Sequence, residues 1–296
     1  LSTGLGTAFD EVGIKSAIAS RWPKYSSYEL KRVVSGGTEN AMYRLGNELV
    51  VRVPLHDHAA NALKREVAIL QCVRLRALNV PKIVEFDAGS KSSMPIAIYE
   101  WMQGSDYFTN PPLDPVQSAE LLASFIAELR SNEPDHGFLG ENSDHKRGIP
   151  LIEKTEITRK SVFEIADEFD REVLLGIWDD ATKAAPHDGM PSWFHGDLHA
   201  GNLITNGGIL TGVIDFGLAA VGDPAADLPP AWWLFEGEAR AKFKKSLGVG
   251  EDEWRRGRGW ALHNAVIAYA YYRDKEKAEL TKMSRDAIVR LTEETD

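Results

Sequence analysis

The chain has a single cysteine, Cys72, in 296 residues. No intrachain disulfide can form, which fits a reducing compartment. Cys72 falls in a stretch of helical periodicity and is expected to be a small buried hydrophobe. Long hydrophobic runs are missing too. The most apolar stretch, ALHNAVIAYAYY at 261–272, is too short and too polar to span a bilayer, which takes roughly 20 residues. The basic start and apolar run of a signal peptide are also absent, so a cytoplasmic protein without a membrane partner is expected. Positive charge is in deficit. A formal net charge of −10 argues against a nucleic-acid partner. No internal repeat and no low-complexity tract is present.

What is there is unevenly distributed. Residues 1–101 carry 13 Lys+Arg against 10 Asp+Glu, whereas residues 102–296 carry 21 against 34, a balance of −13. The local patterns divide at the same place. YELKRVV (28–34), AMYRLGN (41–47) and ELVVRVP (48–54) read as short strands separated by glycine-containing turns. Leu63, Val67 and Leu70 set a helical period that predicts a helix over 61–78, before Pro81. KIVEFDAG and PIAIYEWM supply two more strands. After MQGSD the pattern turns helical. Asp114 is placed as an N-cap, with Pro115 at the first helical position and Gln117 set for a capping box. A further helical stretch is expected over about 157–180. The expected architecture is α+β, with a small β-rich lobe at 1–101 and a larger, mainly helical lobe at 102–296. Gly104 offers a hinge between them.

The chemistry concentrates in WFHGDLHAGNLITNGGILTGVIDFG, residues 193–217. Two readings compete. His195, Asp197 and His199 could ligate a transition metal in a hydrolase, since such sites favour imidazole. That reading lacks further ligands: His56 and His58 fall in the β-rich lobe and His263 in a distant apolar helix. Alternatively, Asp197 follows His195 by two and precedes Asn202 by five, the H-x-D-x-x-x-x-N spacing of a kinase catalytic loop. Asp215 ends an apolar strand in Asp-Phe-Gly, and a hairpin from Leu203 to Ile214 would bring Asn202 and Asp215 to one end. An amide oxygen and a carboxylate suit hard Mg²⁺, which keeps phosphate and water oxygens for the rest of its shell. Asp197 would then face the attacking hydroxyl.

HGDLHAGNL, GVIDFG and GDPAADL, in that order, resemble the aminoglycoside phosphotransferase family, relatives of protein kinases that phosphorylate small molecules. The resemblance implies a protein-kinase-like fold in two lobes. It implies Asp197 as catalytic base, Asn202 and Asp215 as Mg²⁺ ligands, and Asp227 as a structural anchor of the catalytic loop. His195 and His199 would brace that loop.

The nucleotide, ATP or GTP, needs its own residues. VSGGTENAMYRL lacks the G-x-G-x-x-G of protein kinases, so Ser35, Gly36, Gly37 and Thr38 are the expected phosphate donors. Arg52 stands where kinases place lysine, on the strand face opposite Val51 and Val53. Glu66, 14 residues on, is its expected ion-pair partner. Tyr99, Glu100, Trp101 and Met102 would meet the purine edge through backbone groups.

The acceptor is less legible. The family resemblance and the −13 balance favour a cationic, aminoglycoside-like molecule. Other family acceptors are macrolides, choline, homoserine and sugars. Glu164, Asp167, Glu168 and Asp170, or Trp232, Trp233, Glu236 and Glu238, could line such a site. A non-catalytic nucleotide binder is disfavoured, since Asp197, Asn202 and Asp215 are all present.

Overall fold

A computed structural model of the chain describes residues 10–33, 39–90, 93–140, 145–275 and 277–293. These form two compact units. One takes in the described residues up to Cys72 with Pro81–Gln103; the other takes in Val73–Val80 with the described residues from Gly104 onward.

In the first unit α1 (Glu11–Arg21) precedes β1 (Leu30–Val33), β2 (Asn40–Leu45) and β3 (Leu49–Pro54). Helix α2 (Asp57–Cys72), β4 (Ile83–Asp87) and β5 (Ile96–Glu100) follow. The strands make one antiparallel sheet in the order β1-β2-β3-β5-β4. Strand alternation sends Tyr43, Val51, Val53, Ile96 and Ile98 to one face, where Ile14 and Ile18 of α1 cover them. Val50, Ala97 and Tyr99 take the other face, covered by Leu63 and Val67 of α2. Arg52 alternates with Val51 and Val53 and so faces α2.

In the second unit β6 (Ser105–Asp106) adds to the hairpin of β8 (Leu203–Asn206) and β9 (Ile209–Val213). A separate antiparallel pair joins β7 (Ser192–Phe194) to β10 (Ala220–Gly222). The helices are α3 (Pro115–Arg130), α4 (Thr155–Glu164), α5 (Arg171–Lys183), α6 (Pro230–Trp233), α7 (Gly237–Leu247), α8 (Glu251–Tyr272) and α9 (Ala278–Thr292). Helix α8 is the axis of packing: α4, α5 and α9 lie against it, and Trp260, Leu262 and Val266 are fully buried. Asp114 caps α3 as expected, accepting from the N–H groups of Val116 at 2.9 Å and Gln117 at 3.0 Å.

Three expectations are corrected. The helix expected over 61–78 runs from Asp57 to Cys72. Beyond it the backbone donates elsewhere: Arg74 N–H to Asn132 Oδ1 at 2.6 Å, and Arg76 and Ala77 N–H to Glu128 Oε2 at 2.6 and 2.8 Å. Asn79 N–H donates to the Thr211 carbonyl at 3.0 Å and the Asn79 carbonyl accepts from Val213 N–H at 2.9 Å. Long-range partners have replaced the helix ladder, and they draw Val73–Val80 into the second unit, an excursion that a boundary at residue 101 does not anticipate. Cys72, at the end of α2, is exposed and not buried. The stretch expected as one helix over 157–180 is two, because Asp170 starts α5 afresh by accepting from Glu172 N–H at 2.9 Å.

Candidate active site

Strand β7 delivers the chain to His195, which is fully buried. The backbone N–H groups of His195 and Gly196 both donate to the buried Asp227 carboxylate, each at 2.7 Å. Asp227 thus anchors the loop through two charge-assisted hydrogen bonds. Burial pushes its carboxyl up, only partly opposed by His195 and these two N–H groups. The imidazole of His195 ties the loop to the end of β9. Its Nδ1 accepts from Asp197 N–H at 3.3 Å, so Nε2 carries the proton and donates to the Ile214 carbonyl at 3.1 Å. Its ring meets Phe216 edge-on at 4.7 Å.

The hairpin of β8 and β9 turns through Gly207 and Gly208, whose φ of 60° and 80° fit a two-residue primed turn. At its other end Leu203 pairs with Val213, and Ile214 N–H donates to the Asn202 carbonyl at 2.9 Å. Asn202 and Asp215 therefore lie side by side in the hairpin frame. Asn202 Nδ2 donates to the Asp197 carbonyl at 2.9 Å and to Asp197 Oδ2 at 3.0 Å. Its amide nitrogen is committed, which leaves Oδ1 as the group's acceptor. Asp215 has φ 67° and ψ 69°, left-handed backbone that an L-residue with a side chain rarely adopts. Such strain costs of order 1–3 kcal/mol and gathers at functional sites.

His199 Nδ1 accepts from Gly201 N–H at 3.0 Å, which puts its proton on Nε2, 3.5 Å from Asp197 Oδ2. Burial alone would push Asp197 up. His199, through its electrostatic pull and its hydrogen bond, then Arg147 and His195, outweigh it and hold the carboxyl well below the usual range. Burial lowers His199, but Asp197 and then Asp215 bring it up overall. Among the described residues, the grouping of three side chains able to hold a metal through His, Cys or carboxylate atoms is Glu39, His56 and His58, exposed on the first unit. There His56 Nδ1 accepts from Ala59 N–H at 3.2 Å, so its Nε2 proton points at Glu39 and the ring serves as a helix cap. The His195-Asp197-His199 metal reading thus gains nothing: each ring is engaged in bracing the loop.

In the first unit Arg52 Nη1 donates to both Glu66 oxygens, at 2.9 and 2.7 Å. Tyr99 Oη donates to Glu66 Oε1 at 2.7 Å, so its side chain supports the ion pair. The expected row of backbone donors over 99–102 narrows. Glu100 N–H goes to the Lys82 carbonyl at 3.0 Å and Trp101 N–H to the Glu48 carbonyl at 2.7 Å. The Trp101 ring stacks under Arg44 at 3.9 Å. Among the described residues, Met102 N–H has no backbone acceptor. Ser35, Gly36, Gly37 and Thr38 lie outside the described residues.

The acidic features proposed for the acceptor dissolve into structure. Asp167 and Glu168 sit between α4 and α5, where Arg273 meets Asp167 at 2.7 Å and Tyr269 donates to Glu168 at 2.5 Å. Asp170 caps α5. Glu164 ends α4 opposite Lys160 at 3.8 Å. Trp232 and Trp233 are core residues, Glu236 pairs with Arg290, and Glu238 is exposed. Arg147, which the sequence did not single out, emerges instead beside Asp197. Its Nη1 donates to Asn264 Oδ1 on α8.

The sequence model of the phosphotransferase enzyme family matches residues 32–260. No curated protein matches the chain by sequence. Among solved structures, the GDP complex of an aminoglycoside 2′-phosphotransferase-IIIa mutant is 19% identical, with a TM-score of 0.70 over 95% of this chain and 97% of that one. ADP-bound aminoglycoside phosphotransferase APH(2″)-Ib is 20% identical, with a TM-score of 0.62 over 96% and 99%. Macrolide 2′-phosphotransferase type I is 19% identical, with a TM-score of 0.62 over 93% and 96%. The fold is the kinase-like fold of these proteins.

Proposed function

The chain belongs to the phosphotransferase enzyme family, and on that premise we propose that it transfers the γ-phosphoryl group of ATP or GTP to a hydroxyl of a small molecule. The observation that supports this most is the setting of Asn202. Its amide nitrogen is bound twice by Asp197, so its oxygen is the atom left to face a cation, at the hairpin end that also carries the strained Asp215. An oxygen-only pair of this kind fits Mg²⁺. When bound there, Mg²⁺ would neutralise charge on the phosphate oxygens.

Asp197 addresses the acceptor hydroxyl. It accepts the proton as the acceptor oxygen bonds to γ-phosphorus and the bond to the β,γ-bridging oxygen breaks, leaving a nucleoside diphosphate. A carboxyl held below its usual range is a weak base. Its main contribution is then to orient the hydroxyl, with the proton moving late, as a loose transition state permits. Arg52, fixed by Glu66, is the phosphate cation, and Met102 N–H is the purine-facing donor.

The aminoglycosides and macrolides of the neighbours suggest an acceptor of those classes. The net balance of −13 still suits a cationic one, but the acidic residues singled out in the sequence add nothing specific to it, since Asp167 pairs with Arg273, Glu236 with Arg290, and Asp170 caps a helix. A second reading, an acceptor of opposite charge, is favoured by Arg147 and argued below. The test of the central reading is Asp197→Asn. Turnover should fall roughly 10²–10⁴-fold, the range of general-base catalysis, with nucleotide affinity nearly unchanged. Phosphoryl transfer at the wild-type rate in this variant would remove Asp197 from the role.

A further inference from the structure

Several arginines of the second unit find a carboxylate: Arg130, Arg256, Arg273 and Arg290 each pair with one. Arg147 does not. Among the described residues its side-chain contact is the hydrogen bond from Nη1 to the neutral amide of Asn264, and its enclosed Nε has no acceptor. Protein surrounds the guanidinium closely, yet part of its surface stays open, and the same is true of Asp197. The nearby opposite charge is Asp197, which makes no direct bond to it, and an enclosed cation so thinly compensated is costly. It is retained where an incoming anion completes it.

The backbone fixes where this cation sits. Gly148, with φ 66°, lies on one edge of the Phe194 ring, and Gly196 lies on the other. A Cβ at Gly148 would come within 2.3 Å of Phe194 Cε1, and one at Gly196 within 3.2 Å of Cε2. One ring therefore spaces the residue before Gly148, Arg147, from the residue after Gly196, Asp197. The segment is held further by Asp223, whose N–H donates to the Gly148 carbonyl at 2.9 Å and whose carboxylate is gripped by Arg256 at 2.7 Å. Other cations gather nearby. Burial, then the Arg147 and Lys146 charges, push the Lys154 ammonium down. Of these cations Arg147 is the one whose charge reaches Asp197, the group that faces the acceptor.

We infer that Arg147 is the specificity residue of the acceptor site, and that the molecule phosphorylated carries a carboxylate or phosphate group that Arg147 holds while its hydroxyl faces Asp197. The inference rests on the phosphotransferase reading and narrows its substrate class. A planar guanidinium matches two oxygens of either group.

The test compares hydroxyl compounds of three charge classes on related frames: gluconate and glucose 6-phosphate, glucitol, and glucosamine. Transfer of labelled γ-phosphate is measured for wild type, Arg147→Gln and Arg147→Lys. Wild type should prefer the anionic class in kcat/KM, through KM. Arg147→Gln should raise KM for that class by about 10- to 100-fold, the loss of one or two charge-assisted hydrogen bonds. It should not raise KM for the neutral class, and Arg147→Lys should recover part of the loss. A wild-type preference for the neutral or cationic class overturns the inference. So does a fall in kcat for every class at constant KM, which would mark Arg147 as acting on the transferred group. A second readout needs no turnover: gluconate should raise the melting temperature of wild type and Arg147→Lys but not of Arg147→Gln, and an equal rise in all three refutes the site. Failure of the phosphotransferase reading looks different, as wild type would then transfer phosphate to no class of acceptor.

Discussion

Asp227→Asn separates stability from catalysis. Asp227 receives two backbone N–H groups at 2.7 Å, and both belong to the loop that sets Asp197. The amide keeps one acceptor oxygen and turns an NH₂ group toward the other N–H. One charge-assisted hydrogen bond is lost, worth about 1.5–3 kcal/mol. An opposing effect reduces the net cost. Burial holds the Asp227 carboxyl above its unfolded value. The sign follows: a raised carboxyl contributes stability below the unfolded pKa and loses it as pH rises through the folded one. At neutral pH the buried charge is a burden that the neutral amide relieves. The expected net loss is therefore about 1–2 kcal/mol, or roughly 2–8 °C in melting temperature for a unit of this size. The catalytic cost has no such relief. A loop displaced by about 1 Å costs of order 10²-fold in kcat. Steady-state kinetics and thermal melts on one preparation read both, with nucleotide affinity, which depends on other residues, staying within about twofold. Asp227→Ala orphans both N–H groups and should be distinctly less stable than Asp227→Asn. A well-folded Asp227→Asn enzyme with kcat within about threefold of wild type would refute the anchor argument.

Three further outcomes are expected. Asp215→Ala should weaken Mg²⁺-dependent nucleotide binding more than Asn202→Ala does, because a carboxylate holds a hard cation better than an amide; calorimetry with and without Mg²⁺ checks the order. Arg52→Lys should keep partial activity, since charge survives while contact to both Glu66 oxygens is lost, whereas Glu66→Gln should raise the nucleotide KM; equal, wild-type KM values in both would remove the pair from the nucleotide site. Burial, then the charges of Arg147 and Lys154, push the His263 imidazole well below its usual value, and its Nδ1 meets Thr158 Oγ1 at 2.7 Å. A depressed imidazole contributes stability in full above the unfolded value and loses it as pH falls toward the folded one, about 1.4 kcal/mol per pH unit. Melts at pH 7.5 and 5.5 should therefore show a shallower acid loss in His263→Gln than in wild type.

Much of the fold was legible because it is written locally. Alternation located the five strands of the first unit, and Asp114 with Pro115 marked the start of α3. The Asp197-Asn202-Asp215 frame was legible because its residues are close in sequence and joined by one hairpin. What escaped depends on distant partners. Nothing between Val73 and Val80 announces that Glu128 and Asn132 will take its N–H groups. Helix α1 hides because only Ile14 and Ile18 of it are buried. Arg147 sits in an aperiodic segment, and its significance lies in residues distant in sequence, Asn264 and Asp197. Pairing likewise decides individual acidic residues: the balance of −13 stands, but Arg255 and Arg273 hold particular carboxylates, Asp180 and Asp167, in place on the surface.

The Val73–Val80 excursion has a consequence for how the chain is made. During synthesis this segment leaves the ribosome ahead of every partner it will bind. Asn132 follows Arg74 by 58 residues and Thr211 follows Asn79 by 132. The sheet of the first unit can close on Gln103 with the segment still looped out and its N–H groups facing water. It must then wait for the β8–β9 hairpin before Asn79 can join β9. A chain stopped near residue 101 would carry that strap unpaired, a ready site for proteases and for strand addition from another nascent copy. Assembly of the second unit is thus tied to the first, because it borrows a piece that is translated inside it.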